Sequence, residues 1–119
     1  LLAHLTGTSS EIKTKNTNLI IEDAGEYMYN VYRRMYQLKR SGNLDELAGL
    51  VVGKFTDMKD TTIPFGETVE EVIRDIVKEY DYPVCFNFPI SHDKENYAVK
   101  IGGEYKLTVS ANAAILKEL

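Results

Sequence analysis

The sequence contains little of what disulfide-linked, zinc-binding or membrane-spanning proteins need. It has one cysteine, Cys85, and two histidines, His4 and His92, in 119 residues. A single cysteine cannot form an internal disulfide, and zinc sites draw mostly on several cysteine and histidine ligands. No apolar run approaches the roughly 18 residues of a membrane-spanning helix. We therefore expect no zinc site and no membrane partner. We also predict no cofactor.

An excess of basic residues is also absent. The chain has 14 lysines and arginines against 18 aspartates and glutamates, for a net charge of −4. A nucleic-acid-binding surface needs clustered basic side chains, so we expect no nucleic-acid partner. The apolar content of 44% is ordinary for a globular protein, and 119 residues are enough for one domain with its own core.

The stretch that organises the chain is 19–26, with the sequence LIIEDAGE. Its aliphatic run, 19–21, predicts a short strand buried on both faces, because a strand with one exposed face alternates polar and apolar residues. Glu22 then stands at the end of this strand. Asp23, followed three residues later by Glu26, is typical of a helix start with a capping box. The alternative for Glu22 is a solvated residue at a strand end.

The rest of the chain predicts an alternation of helices and parallel strands. A helix over 26–40 leads to a second strand over 47–55, and a second helix begins with a capping box at Thr68 and Glu71. A third strand, VCFNF, follows Pro83. A strand-helix-strand unit makes its two strands parallel. The core-facing positions of the two helices are Met28, Val31, Met35, Leu38, Val69, Val72, Ile73, Ile76, Val77 and Tyr80.

The C-terminal part of the chain predicts a β-hairpin. Residues 97–101 and 105–109 flank a glycine-rich turn at 102–104, and 113–116 is a candidate for one more antiparallel strand. The sequence therefore predicts an α/β fold with a short parallel sheet, two main helices and a C-terminal hairpin.

Two local features indicate close contacts. Gly49 and Gly53 in the second strand suggest that another part of the backbone approaches closely there. Tyr29, Tyr32 and Tyr36 lie beside the core-facing stripe of the first helix, and tyrosines in such a position are typical of a domain or subunit contact. A homodimer is one form of that contact.

One carboxylate and one imidazole follow the ends of predicted parallel strands. Glu22 ends the first strand, and His92 follows the third strand after Pro89. Functional groups collect beyond the carboxyl ends of parallel strands, so these two are candidates for a hydrogen-bonded pair. In such a pair Glu22 would fix the tautomer of His92 and stabilise its charged form as a general base. The alternative for His92 is an ordinary surface histidine.

A nucleophile for this pair is hard to find in the chain. Cys85 lies inside a predicted buried strand, where a thiol is usually inert. Ser91 is adjacent to His92, and successive side chains seldom face each other. Ser9 and Ser10 lie in a polar loop without the Gly-x-Ser-x-Gly turn that exposes a hydroxyl. The sequence therefore supplies two of the three groups of a catalytic triad.

Five ordered segments resemble the C-terminal domain of the LD-carboxypeptidases, the serine peptidases also called muramoyltetrapeptide carboxypeptidases, which include a microcin-immunity branch. The segments are LLAHLTGT, LIIEDAGE followed by Tyr29, Arg33 and Gln37-Leu38, LAGLVVGKFTD, PVCFNFPISH and NYAVKIGG. Together they cover nearly the whole chain. Ser91 and Asp93 flank His92 where the family usually has glycine, and Tyr32 replaces an aspartate often found before the helix arginine.

The resemblance implies a fold and a reaction. It implies that 1–119 is a swivelling β/β/α domain at the C-terminal end of a larger two-domain peptidase, packed on a Rossmann-like domain that carries the nucleophilic serine. Glu22 and His92 occupy the positions that complete the family's Ser-Glu-His triad. The implied reaction removes the terminal D-alanine from murein tetrapeptide during cytoplasmic cell-wall recycling, without a metal. This chain alone is then expected to be inactive.

Two alternatives stay open at this point. One is a non-catalytic interaction module of the same fold that associates through the tyrosine-rich helix. The other, within the enzyme class, is a related peptidase that cleaves a peptide-nucleotide toxin.

Overall fold

The chain folds into a parallel sheet, two main helices and a C-terminal hairpin, and the computed structural model describes all of residues 1–119. The elements in chain order are a 3₁₀ helix over Leu2–Leu5, β1 over Asn18–Ala24, α1 over Met28–Arg40, β2 over Gly49–Thr56, α2 over Val69–Val77, β3 over Val84–Phe88, β4 over Tyr105–Val109 and β5 over Ala114–Glu118. Strands β1, β2 and β3 pair in parallel in that order, and β4 pairs antiparallel with β5. The predicted α/β fold is therefore confirmed.

The parallel sheet is buried on both faces. Successive side chains of a strand point to opposite faces, and on β2 Leu50 and Val52 pack in one core cluster while Val51 packs in another. The first cluster is shared with α1 and α2. The second contains Cys85 of β3 and Leu107 of β4. The layers are thus helices, parallel sheet and hairpin sheet, which is the β/β/α arrangement that the resemblance implies.

Strand β1 continues beyond its predicted end at Ile21. Ala24, the last residue of β1, still pairs with Thr56 of β2. The apolar run ends before the strand does, because the parallel ladder continues to find partners on β2. Glu22 therefore lies inside β1, not at its end.

Helix α1 begins at Met28, and the predicted capping box of Asp23 and Glu26 is wrong. Arg34 of α1 contacts both acids, with Nη1 at 2.9 Å from Asp23 Oδ2 and 2.7 Å from Glu26 Oε2. The side-chain amide of Asn30 also donates to Glu26 at 2.7 Å. This bond is the main reason that the pKa of Glu26 is lowered. The two acids therefore contact side chains of α1 near its N-terminus and do not form a capping box.

Helix α2 begins as predicted. The side-chain oxygen of Thr68 accepts from the backbone N–H of Glu71 at 3.2 Å, and the Glu71 carboxylate accepts from the backbone N–H of Thr68 at 2.7 Å. Four predicted core residues of α2 are buried, namely Val72, Ile73, Ile76 and Val77. Neither α1, with 13 residues, nor α2, with 9, has the length and apolarity needed to cross a membrane.

The C-terminal hairpin uses a different pair of strands from the one predicted over 97–101 and 105–109. Strand β4 pairs with β5 instead, which confirms the additional strand suggested at 113–116. Leu107 and Leu116 of this hairpin pack against the parallel sheet, whereas Ile101 is 88% exposed. Residues 97–101 form no strand because their apolar side chains have no sheet face to cover.

Gly53 of β2 lies where two other parts of the backbone come together. A Cβ at this position would collide with the carbonyl oxygen of Ile90 and would come within 3.1 Å of the Glu22 Cβ. A Cβ at Gly49 would lie 2.7 Å from side-chain atoms of Asn18 and of β4. The predicted close approach at both glycines is confirmed.

We expect Gly53→Ala to destabilise the chain by about 1–3 kcal/mol, because the added methyl group overpacks a site that is already filled. Urea unfolding of the chain before and after the substitution measures this change. An unchanged unfolding midpoint would show that the loop at Ile90 moves away freely, which contradicts the close packing seen here.

Candidate active site

Glu22 lies at an irregularity in the pairing of β1 with β2. Ile21 pairs with Val52 and Asp23 pairs with Phe55, so that two residues of β2, Gly53 and Lys54, stand opposite Glu22. Such a bulge bends the strand locally and changes the direction of nearby side chains, and bulges are frequent beside active sites. Glu22 therefore stands outside the regular pairing of β1 with β2.

His92 contacts Glu22 directly. Its Nδ1 lies 2.7 Å from Oε2 of Glu22, although 70 residues separate the two in the chain. The His92 side chain is 66% exposed and the Glu22 side chain 28%. Since Nδ1 faces the carboxylate, Nε2 on the far side of the ring faces away from it. The structure therefore brings together the two residues that sequence reasoning placed at the same sheet edge.

The loop that carries His92 is fixed by hydrogen bonds on both sides of the histidine. The Ile90 carbonyl accepts from the backbone N–H of Lys54 at 3.3 Å. The backbone N–H of Ser91 donates to Asn96 Oδ1 at 3.3 Å, and that of Asp93 donates to Ser91 Oγ at 3.0 Å. The loop has no regular secondary structure, so these bonds determine where His92 stands.

Lys54 adds a charge contact to the same loop. Its Nζ lies 3.1 Å from Asp93 Oδ2 and 3.5 Å from Glu95 Oε2. The hydrogen bond to Asp93 raises the pKa of Lys54. The pKa of Asp93 is lowered first by the backbone N–H of Lys94 and then by Lys54. Both partners of the Lys54–Asp93 pair therefore carry their charges at neutral pH.

The chain places none of the considered nucleophiles against this pair. Cys85 is buried in β3, and burial raises the pKa of its thiol. Ser91 is also buried, and its Oγ accepts from the backbone of Asp93. Ser9 and Ser10 are exposed in the loop after the 3₁₀ helix. None of these side chains therefore forms a hydrogen bond with His92.

The tyrosine-rich side of α1 forms a separate surface. The rings of Tyr32 and Tyr36 have centroids 4.7 Å apart, and Phe65 packs 5.6 Å from Tyr32. The guanidinium of Arg33 lies 5.1 Å above the ring of Tyr29. Tyr32 is 38% exposed. An association role for this surface stays a prediction.

Sequence reasoning missed two residues that organise the His92 loop, Lys54 and Asn96. Lys54 is 39 residues from Asp93 in the chain, so no local spacing relates the two. Its position directly after Gly53 at the end of a predicted parallel strand was the available signal. Asn96 had none, because its contact with Ser91 depends on the path of an irregular loop.

The comparisons with known proteins agree on one family. Residues 1–107 match the family model described as the LD-carboxypeptidase C-terminal domain. The protein named "Probable murein peptide carboxypeptidase" of Bacillus subtilis is 30% identical over 117 residues, which cover 98% of this chain and 37% of that protein. The crystal structure of muramoyltetrapeptide carboxypeptidase from Oxalobacter formigenes superposes with a TM-score of 0.86 at 28% identity, over 98% of this chain and 41% of that one.

A more distant structure shares the fold. The microcin C7 self immunity protein MccF superposes with a TM-score of 0.63 at 24% identity, over 76% of this chain and 27% of that one. At this identity the likeness shows the fold alone. The chain spans about a third of the length of the curated relatives it matches. It belongs to the LD-carboxypeptidase family, in which it corresponds to the C-terminal domain.

Proposed function

We propose that this chain is the C-terminal part of a serine LD-carboxypeptidase that removes the terminal D-alanine from murein tetrapeptide in cytoplasmic cell-wall recycling. Family membership supports the reaction class. The observation that carries the proposal is the 2.7 Å contact between His92 Nδ1 and Glu22 Oε2. In this proposal the nucleophilic serine and the oxyanion hole belong to an N-terminal domain outside the chain.

His92 takes the role of general base and acid. Because Nδ1 faces Glu22, Nε2 is the nitrogen left to accept the proton of the attacking serine hydroxyl. The serine oxygen bonds to the carbonyl carbon of the scissile peptide bond, and the imidazolium returns the proton to the amine of the departing D-alanine. A water molecule, deprotonated by the same nitrogen, then attacks the acyl carbon. The bond from that carbon to the serine oxygen breaks, and the imidazolium returns the proton to the serine oxygen as the shortened peptide leaves.

Glu22 takes the role of orienting His92. A carboxylate that accepts from Nδ1–H fixes the tautomer in which Nε2 is free to accept a proton. It also stabilises the positive charge of the imidazolium that forms during the attack. Neither task requires Glu22 to touch the substrate, which agrees with its position inside β1.

The exposure of the pair supports a second domain over this face. His92 is 66% exposed, and charges that interact across water attract each other weakly. A covering domain and a bound peptide would exclude water and strengthen the interaction of Glu22 with the imidazolium. We therefore expect no hydrolysis by the isolated chain, since it lacks both the serine and this cover.

The exposed Tyr32 and Arg33 of α1 favour a second candidate function, a non-catalytic module that associates through this helix. Aromatic side chains together with arginine are enriched at protein interfaces, and Tyr32 and Arg33 provide both. The sequence upstream of the chain distinguishes the two candidates. A strand followed by a Gly-x-Ser turn favours the peptidase, and its absence favours the module.

In the full-length protein, we expect His92→Ala to lower the rate of D-alanine release from murein tetrapeptide by about 10⁴-fold, since the general base is lost. The matched control is His4→Ala, which removes the other histidine, an exposed residue of the 3₁₀ helix, and should leave the rate unchanged. Near wild-type turnover by His92→Ala would rule out the proposed base.

Glu22→Gln tests the orienting role separately. The amide keeps the shape of the carboxylate but removes its charge, so we expect kcat to fall by about 10⁴-fold, as for other triads whose acid is neutralised. The control is Glu118→Gln, at an exposed position on β5. If kcat of Glu22→Gln stays within about tenfold of wild type, Glu22 does not act as the third member of a triad.

A further inference from the structure

Lys54 holds the His92 loop at two points, one before the histidine and one after it. Its backbone N–H donates to the carbonyl of Ile90 at 3.3 Å, and its Nζ lies 3.1 Å from Asp93 Oδ2. Ile90 is two residues before His92, and Asp93 is the residue directly after it. One residue of β2 thus contacts the loop on both sides of the histidine.

The lysine of the Lys54–Asp93 pair is less exposed than the lysine of an ion pair on the surface of a helix. The Lys54 side chain is 26% exposed, whereas that of Lys78, which pairs with Asp75 on α2, is 70% exposed. Lys54 also projects from the central strand of the sheet, so one partner of its pair stands on a rigid element. Lys78 has only its own helix as a support. The contact with Lys54 can therefore restrict the movement of the loop.

Asp93 is itself fixed by hydrogen bonds, so a contact with its carboxylate also restricts the neighbouring His92. Its Oδ1 accepts from the backbone N–H of Lys94 at 2.7 Å, and its own backbone N–H donates to Ser91 Oγ at 3.0 Å. The side chain and the backbone of Asp93 are thus both bonded, and Ser91 itself is buried. Residues 91 and 93 form a short bonded unit with His92 between them.

We propose that Lys54 is a positioning residue for His92, which it holds against Glu22 through the carbonyl of Ile90 and the carboxylate of Asp93. The inference rests on the proposed function, in which His92 is the general base. An ion pair whose carboxylate is nearly half exposed contributes little to overall stability, so we expect the loss of the Lys54 charge to act mainly on the position of His92. Small displacements of a catalytic group lower the chemical step strongly and substrate binding little.

The test uses the full-length protein with Lys54→Met, which keeps the aliphatic stem and removes the charge. We expect kcat to fall by about tenfold, with KM within about twofold and an unchanged melting temperature, because the base is displaced while the fold persists. Lys54→Arg, which restores a charged donor, should recover at least about half of the wild-type kcat. The matched control is Lys78→Met, which should behave like wild type.

Asp93→Asn and the double variant test whether the pair acts as one unit. We expect Asp93→Asn to lower kcat to a similar extent as Lys54→Met. The double variant should then lose little more than the more damaged single variant, since each substitution removes the charge attraction of the same Lys54–Asp93 pair. If the fold-losses in kcat of the two single variants multiply in the double variant, the two residues act independently, which overturns the proposal.

A measurement that does not depend on turnover follows the Nδ1 proton of His92 by NMR, assigned by its loss in His92→Gln. We expect the hydrogen-bonded Nδ1–H signal of the wild type to weaken or vanish in Lys54→Met and to persist in Lys78→Met. Wild-type kcat together with a retained signal in Lys54→Met overturns the positioning role and leaves the proposed function standing. A wild type without carboxypeptidase activity overturns the proposed function, and the Nδ1–H signal alone then decides on Lys54.

Discussion

The contact between Glu22 and His92 depends on the path of one loop across the central strand of a parallel sheet. Strands β1 and β3 run in the same direction on either side of β2, so the loop after β3 has to cross the end of β2 to reach β1. Gly53 leaves room for this crossing, because any side chain there would collide with the Ile90 carbonyl. The backbone N–H of Lys54 then donates a hydrogen bond to that carbonyl. The site thus depends on two neighbouring residues of β2: Gly53, which has no side chain to block the loop, and Lys54, whose backbone N–H binds it.

Strand β2 can serve as this platform because it is the most deeply buried strand of the chain. Leu50 and Val51 are completely buried and Val52 is 2% exposed, with helices on one face of the sheet and the hairpin on the other. A strand packed on both faces moves little, since any shift would open cavities in two cores. The loop that carries His92 has no regular secondary structure, so its precision comes from the rigid strand to which it is bonded.

The sequence was sufficient for those parts of the fold that local pattern controls. Apolar runs and helical spacing predicted the three parallel strands and both helices, and the parallel direction alone placed Glu22 and His92 at a shared edge. The capping box at Asp23 and Glu26 was wrong because β1 continues to Ala24, so that Asp23 lies in the strand and α1 begins only at Met28. The local motif does not show that pairing with β2 extends past it.

The remaining differences have a long-range cause. Residues 97–101 have the composition of a strand, yet β5 is the segment that pairs with β4, because Leu116 reaches the covered face of the parallel sheet. Likewise, the bond between Lys54 and Asp93 joins positions 39 residues apart. Pattern reasoning predicts which segments are buried. It does not predict which of two candidate segments pairs with β4.

The anchoring of the loop to β2 also bears on how a site divided between two domains would be assembled. On the proposed function, the N-terminal domain supplies a hydroxyl to a base that is already oriented by Glu22 and held by bonds within this chain. Docking then has to position the serine and exclude water, but it does not have to order the histidine loop. The entropy cost of fixing that loop is met when this domain folds, so it does not weaken the association of the two domains. If the base were held only by contacts with the other domain, its loop would have to become ordered each time the two domains associate, and this entropy loss would weaken their association.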